Sequence, residues 1–204
     1  MAMVPTKGNL IIAKNTLKLS KTGYELLDKK RNILIREMMT LIDTAKSLQS
    51  RIEATYSAAY TALRNANMEI GIETVQSIAY GVEEENSVEV KFRSVMGVEI
   101  PVVTMKKERK IPVYGFINTT MSLDEARQKF IEVKELTKVL AQVENSVYCL
   151  AVSIKKTQKR ANALKNIMIP RYEEETKNIQ SALEEKEREE FSRLKVIKVQ
   201  KNRK

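Results

Sequence analysis

The stretch Leu10–Ile70, LIIAKNTLKLSKTGYELLDKKRNILIREMMTLIDTAKSLQSRIEATYSAAYTALRNANMEI, contains a single glycine and no proline. Placing heptad position a at Leu10 carries it through Leu17, Tyr24, Arg31, Met38, Ala45, Ile52, Ala59 and Ala66. The d positions are then Ala13, Ser20, Leu27, Leu34, Leu41, Leu48, Thr55, Ala62 and Glu69. Apolar residues fill 14 of these 18 places, and a seam sustained over that distance predicts a coiled-coil helix rather than a globular one. At 1.5 Å per residue such a helix would run about 90 Å. Gly23 inside it costs about 1 kcal/mol relative to Ala, a cost that leaves two readings, close packing against a neighbour or, more plainly, a tolerated surface glycine.

A second helix is signalled at Ser122, where Ser122 and Glu125 have the spacing of a capping box and Asp124 suits the positive helix N-terminus. Its seam reads Val133, Leu136, Leu140, Val143, Val147, Leu150, Ile154, Thr157, Ala161, Leu164 and Met168. Pro170 lacks an N–H and clashes with the preceding turn, so a kinked continuation is expected there. Beyond it Tyr172, Ile179, Leu183, Leu194 and Ile197 resume the apolar pattern in a shifted register.

Between the helices the period changes. Val88, Val90 and Phe92 alternate with Glu89, Lys91 and Arg93, the pattern of a half-buried strand. Met96-Gly97 reads as a turn and Val98–Val103 as the return strand. An apolar piece, Ile111–Tyr114, follows the basic stretch Lys106–Lys110, and Asn118-Thr119-Thr120 matches a glycosylation acceptor by chance. The fold expected is therefore mainly α: a long antiparallel two-helix coiled coil of N- and C-terminal helices with a small β-hairpin insert. The divisions are 1–70, 71–121 and 122–204.

Composition narrows the function. Among 204 residues there is no His, no Trp and one Cys, Cys149. That leaves neither the commonest general base nor a usual zinc site, and no internal disulfide. Neither GxxxxGK[ST] nor GxGxxG occurs, and no cofactor, metal or catalytic residue is expected. Tyr24, Tyr148 and Tyr172 lie at or near seam positions and are expected in the core, with Cys149 partly buried. The opening residues lack the apolar run of a signal peptide and no segment is apolar enough to span a membrane, so a cytosolic location is expected.

If the two helices fold back on each other, residue i faces roughly 192 minus i. Lys7, Lys14, Lys18 and Lys21 then face Arg171–Glu190, a stretch with eight Glu against four basic residues. One belt stays uncompensated: Lys29, Lys30, Arg31 and Arg36 against Lys155, Lys156, Lys159, Arg160 and Lys165, with only Asp28 and Glu37 nearby. The tail from Phe191 carries six basic residues and no acid within a total formal charge of +10, and Phe191, Leu194 and Ile197 keep it amphipathic. A tail of this kind is suited to sit inside a partner.

The stretch ANALKNIMIPRYEEETKNIQSALEEKEREEFSRLKVIK, Ala161–Lys198, resembles the C-terminal signature of the D subunits of V-type/A-type rotary ATPases. PTKGNL and GYELLDKKRNIL near the N-terminus resemble that family's other block. The resemblance covers both helices and implies a non-catalytic central-stalk rotor subunit, present once per complex. Its paired termini would enter the hexamer of catalytic and non-catalytic A and B subunits, with bearing contacts from Phe191, Arg193, Leu194, Lys195, Lys198, Lys201 and Arg203. The small F subunit of the stalk would pack on the coiled coil and insert, through Val88, Val90, Phe92, Val98 and Ile100. A funnel-shaped subunit would link the shaft to the membrane ring. The resemblance places the chain at the cytoplasmic side of the membrane, coupling ATP turnover to proton or sodium movement.

A high pI leaves a nucleic-acid binder as the main rival, although about half of the basic residues are interleaved with acids along the helices. A generic basic coiled-coil scaffold is the other, but it would not require the insert or the Ile-Pro-Arg element.

Overall fold

The computed structural model describes residues 4–82, 88–105, 114–115 and 119–202. Helix α1 is Lys7–Ile70, α2 is Ile72–Tyr80, and strands β1 (Val88–Val95) and β2 (Val98–Met105) form an antiparallel hairpin. Helix α3 (Met121–Ala163) passes through a π-helical turn, Leu164–Met168, into α4 (Ile169–Lys201). The chain is thus mainly helical, with the two long helical arms and central hairpin expected of it. Two compact units divide it: Met1–Ile33 with Ile154–Lys204, and Leu34–Ser153.

In the unit formed by the two chain ends, α1 runs antiparallel to α4 and the end of α3. Thr6 starts α1 by accepting the Asn9 N–H at 3.2 Å, and the Asn9 side chain returns a bond to the Val4 carbonyl. The cross-helix ion pairs Lys7–Glu187 (3.1 Å) and Lys21–Glu173 (2.6 Å) fall within about a turn of the 192-minus-i rule. Ala13, Ser20, Thr157, Ala161 and Ile179 are its buried seam residues.

Pro170 does not break the helix. The five residues before its neighbour Ile169 adopt the wider π-turn, and the Ile169 N–H bonds the Leu164 carbonyl. Widening the turn ahead of a proline relieves the clash with the carbonyl one turn back, which an α-helix cannot do. Both flanks keep right-handed helical dihedrals at Ala163, Met168 and Ile169.

The second unit pairs the rest of α1 with most of α3. Leu34, Leu48, Ile52, Ala59, Ala62 and Ala66 are buried on α1, all at a or d positions, and Val133, Val143 and Leu150 are buried on α3. Alanines at Ala59, Ala62 and Ala66 let the helices approach closely, and Tyr60 meets Phe130 edge-on with ring centroids 5.6 Å apart. Tyr148 corrects the sequence expectation: it is 70% exposed, because it sits one position past the seam residue Val147 and points outward. Tyr24, Tyr172 and Cys149 are half-buried.

Two further expectations change here. The capping box does not form: α3 begins at Met121, and the Ser122 hydroxyl, inside its first turn, donates to Glu69 at 2.7 Å and ties α3 to α1. The insert also contains helix as well as strand. Gly71, with φ 93°, ends α1 in a conformation that disfavours any side chain, and α2 starts directly after it. Ile72, Val75, Ile78 and Ala79 have helical spacing that the Gly/Pro pattern obscured. The apolar piece Ile111–Val113 and Asn118 lie outside the described residues. Tyr114 hydrogen-bonds Asp124; burial, then that bond and the carboxylate charge, push its pKa up to about 12.

Candidate partner-binding surfaces

The hairpin closes through Met96 (φ 51°) and Gly97 (φ 73°), two left-handed residues in a two-residue loop, with Val95 opposite Val98. This is the turn whose twist matches the strands, and a non-glycine first residue carries a conformational cost for it. The register sets Lys91 opposite Val102 and Arg93 opposite Ile100, and on the other face Val90 opposite Val103 and Phe92 opposite Pro101.

That register divides the five expected insert contacts between two faces. Val98 and Ile100 are 9% and 5% exposed and turn inward, whereas Val88, Val90 and Phe92 are 49%, 53% and 68% exposed. The half-burial expected of Val88, Val90 and Phe92 is therefore overturned. Alternation in β1 defines two faces without saying which is covered; β2 decides it, because Val98, Ile100 and Val102 share the face of Lys91 and Arg93. Two polar contacts hold the hairpin there: Arg93 to Glu37 of α1 at 3.7 Å, and the Val103 N–H to Gln142 Oε1 of α3 at 3.0 Å.

In the other unit the basic belt is concentrated in a few turns. Lys29, Lys155, Lys156, Lys159 and Arg160 are exposed and Lys30 half-buried; none has an ion pair among the described residues. Arg31 behaves differently from these six. It occupies a seam position, donates to Gln158 at 2.8 Å across the helix pair and meets Asp28 at 2.6 Å. Lys165 stands 5.7 Å from the Tyr24 ring centroid, a cation–π distance. Arg36, exposed, belongs to the second unit.

The tail is helical to Lys201. Every described residue after Leu183 is exposed, including Phe191, Arg193, Leu194, Lys195, Lys198 and Lys201. Arg193 pairs with Glu189 one turn back at 3.8 Å. Arg203 lies outside the described residues. A helix with Phe191, Leu194 and Ile197 on its surface and no inner partner among the described residues carries apolar area that burial in a complex would recover.

Among the described residues no three His, Cys, Asp or Glu side chains are placed to hold a metal, and no helix is long and apolar enough to cross a membrane. The sequence profile of the ATP synthase D-subunit family matches residues 9–199. The chain belongs to the family of ATP synthase D subunits. It is 45% identical over 199 residues to the V-type ATP synthase D subunit of Thermotoga neapolitana, covering 97% of this chain and 98% of that protein. The A-type ATP synthase D subunits of Methanobrevibacter smithii and Pyrococcus horikoshii are 40% and 39% identical over 197 residues. These span 95% of this chain and 85% and 92% of theirs. Membership makes the chain a subunit of an ATP synthase complex, associated with other subunits of that complex.

Sequence reasoning located the hairpin and the tail but missed the cross-links. The Arg31–Gln158 bridge carries a signal, a charged residue at an a position, and Gln142 carries none, because its role depends on where the hairpin lies.

Proposed function

We propose that this chain is the non-catalytic central-stalk shaft of a V/A-type ATPase, coupling ATP hydrolysis or synthesis in the catalytic hexamer to proton or sodium translocation through a membrane ring. The observation that carries the reading is the combination, on a chain of this family, of seam-packed antiparallel helices with an exposed amphipathic basic tail. Two helices zipped by a seam resist twisting better than one, and a two-helix cross-section is asymmetric. Turning it inside a ring presents different faces to successive catalytic sites, which puts them in different states.

The belt and the tail are the bearing surfaces in this reading, gripping the A and B subunits through charge that tolerates sliding. The hairpin and adjoining helices take the small F subunit of the stalk, and the funnel-shaped subunit joins the shaft to the ring. The stretches 1–70, 71–121 and 122–204 serve as first shaft helix, docking insert and second shaft helix. The chain acts once per complex, at the cytoplasmic face of the membrane, with no cofactor of its own.

The test is reconstitution of the complex in vesicles with the chain intact or truncated before Phe191. Truncation is expected to leave ATP hydrolysis measurable and to abolish ATP-driven ion uptake. Undiminished uptake, or assembly that never includes this chain, overturns the proposal.

A further inference from the structure

The two outer edges of the hairpin are not equivalent. In an antiparallel pair closed by a two-residue turn, Val95 and Val98 exchange hydrogen bonds, and every second pair from there does the same. The residues between, Val88, Val90, Phe92 and Ser94 on β1, point their N–H and C=O groups away from β2. On β2 the outward set is Glu99, Pro101, Val103 and Met105. This edge is blocked twice: Pro101 has no N–H to offer, and the N–H of Val103 is taken by Gln142. On β1 no outward N–H has a protein partner among the described residues, and Val88–Ser94 are all exposed.

We infer that β1 is a strand-addition site, at which an edge strand of a partner protein pairs with the outward N–H and C=O groups of Val90 and Phe92 and extends the hairpin to three strands. The chemistry of the occupant follows from the two faces. Val88, Val90 and Phe92 demand apolar side chains at alternate positions of the incoming strand. On the other face Arg93 is engaged by Glu37, but Lys91 has no ion pair among the described residues, so the incoming strand carries a carboxylate opposite it. A three-stranded sheet also removes the marginal stability of a lone hairpin. A second copy of this chain is the competing occupant, and the +10 charge on each copy opposes it.

The source of the strand rests on the shaft reading, which supplies the small stalk protein as the partner to use. The measurement is residue-resolved amide hydrogen exchange of the full chain, alone and with that partner, joined to the affinities of two variants. In the complex the amides of Val90 and Phe92 gain at least about tenfold protection while that of Lys91, already bonded to β2, changes little. Val90→Pro removes an outward donor without touching the β1–β2 ladder and weakens binding by about tenfold or more, whereas Val90→Thr, which keeps the N–H, stays within about threefold. Tight binding with Val90 and Phe92 exchanging as in the free chain overturns strand addition and leaves the shaft reading intact. No binding by the wild-type chain removes the small stalk protein as a partner and fails the shaft reading instead. Protection that appears in the chain alone and rises with its concentration assigns the edge to self-pairing and also overturns the inference.

Discussion

The two units solve the same problem, holding α1 against a returning helix, with different chemistry. In the unit of Leu34–Ser153 the seam is mostly apolar: Leu34 and Leu150 are fully buried with Ala59, Ala62 and Ala66, and the buried Ser146 spends its hydroxyl on the Gln142 carbonyl of its own helix rather than across the pair. In the unit of the two chain ends the seam is partly polar. Ser20 and Thr157 are buried in it, Arg31 reaches Gln158, and Lys165 lies over Tyr24 beside the π-turn. An apolar seam supplies stability in proportion to area buried but tolerates small slips along the axis. Directional bonds add less and specify register more. The proposed function assigns the polar-seamed unit to the rotating bearing, where register has to survive torque.

Breaking the apolar seam should have the largest effect. Leu150→Ala or Leu34→Ala is expected to cost about 2–5 kcal/mol, since each deletes a fully buried side chain and leaves a cavity. Urea unfolding checks it, and a loss below about 1 kcal/mol would mean that the seam collapses around the gap. Arg31→Ala comes next at about 1–3 kcal/mol, the range for removing a charged partner from hydrogen bonds. The sharper form is Arg31→Leu: if the bridge specifies register more than it stabilises, unfolding free energy stays within about 1 kcal/mol of wild type. Cysteines introduced at 24 and 165 should then cross-link less cleanly than in the wild-type background.

Met96→Asn is expected to stabilise the hairpin by up to about 1 kcal/mol, because Asn tolerates the left-handed conformation at the first turn position better than Met. Amide exchange in β1 and β2 reads it directly, and unchanged exchange would mean that the turn is held by contacts beyond its own dihedrals. The smallest effect belongs to the exposed ion pairs. Lys21→Ala or Lys7→Ala should change stability by less than about 1 kcal/mol despite distances of 2.6 and 3.1 Å, because both partners are half or more exposed. A larger loss would show that charge, and not the seam, holds that unit together.

Much of this fold is legible in the sequence because a heptad seam is a one-dimensional signal: the buried α1 residues fall where counting from Leu10 puts them. Charge matching along the two arms fixes the register to within a turn, since Lys7 and Lys21 have acids at the right distance along the return helix. Signals that depend on the third dimension are not legible. The alternation in β1 does not say which face is covered, because that is decided by the apolar run Val98, Ile100 and Val102 on the neighbouring strand. The proline at 170 announces an interruption, yet the choice between kink and π-turn rests on carbonyl geometry. Ser122 looks like a cap because of its spacing to Glu125; Glu69, 53 residues away in sequence, takes its hydroxyl instead.

The central claim, that the chain is a shaft that turns, is tested most directly by watching it do so. With Cys149→Ser and Ser94→Cys, a bead can be attached to the hairpin of the chain assembled in a surface-fixed catalytic hexamer. On adding ATP the account predicts unidirectional rotation of the bead with dwells repeating three times per turn, and arrest when ATP is withdrawn. A bead that stays still while the same hexamers hydrolyse ATP would contradict it.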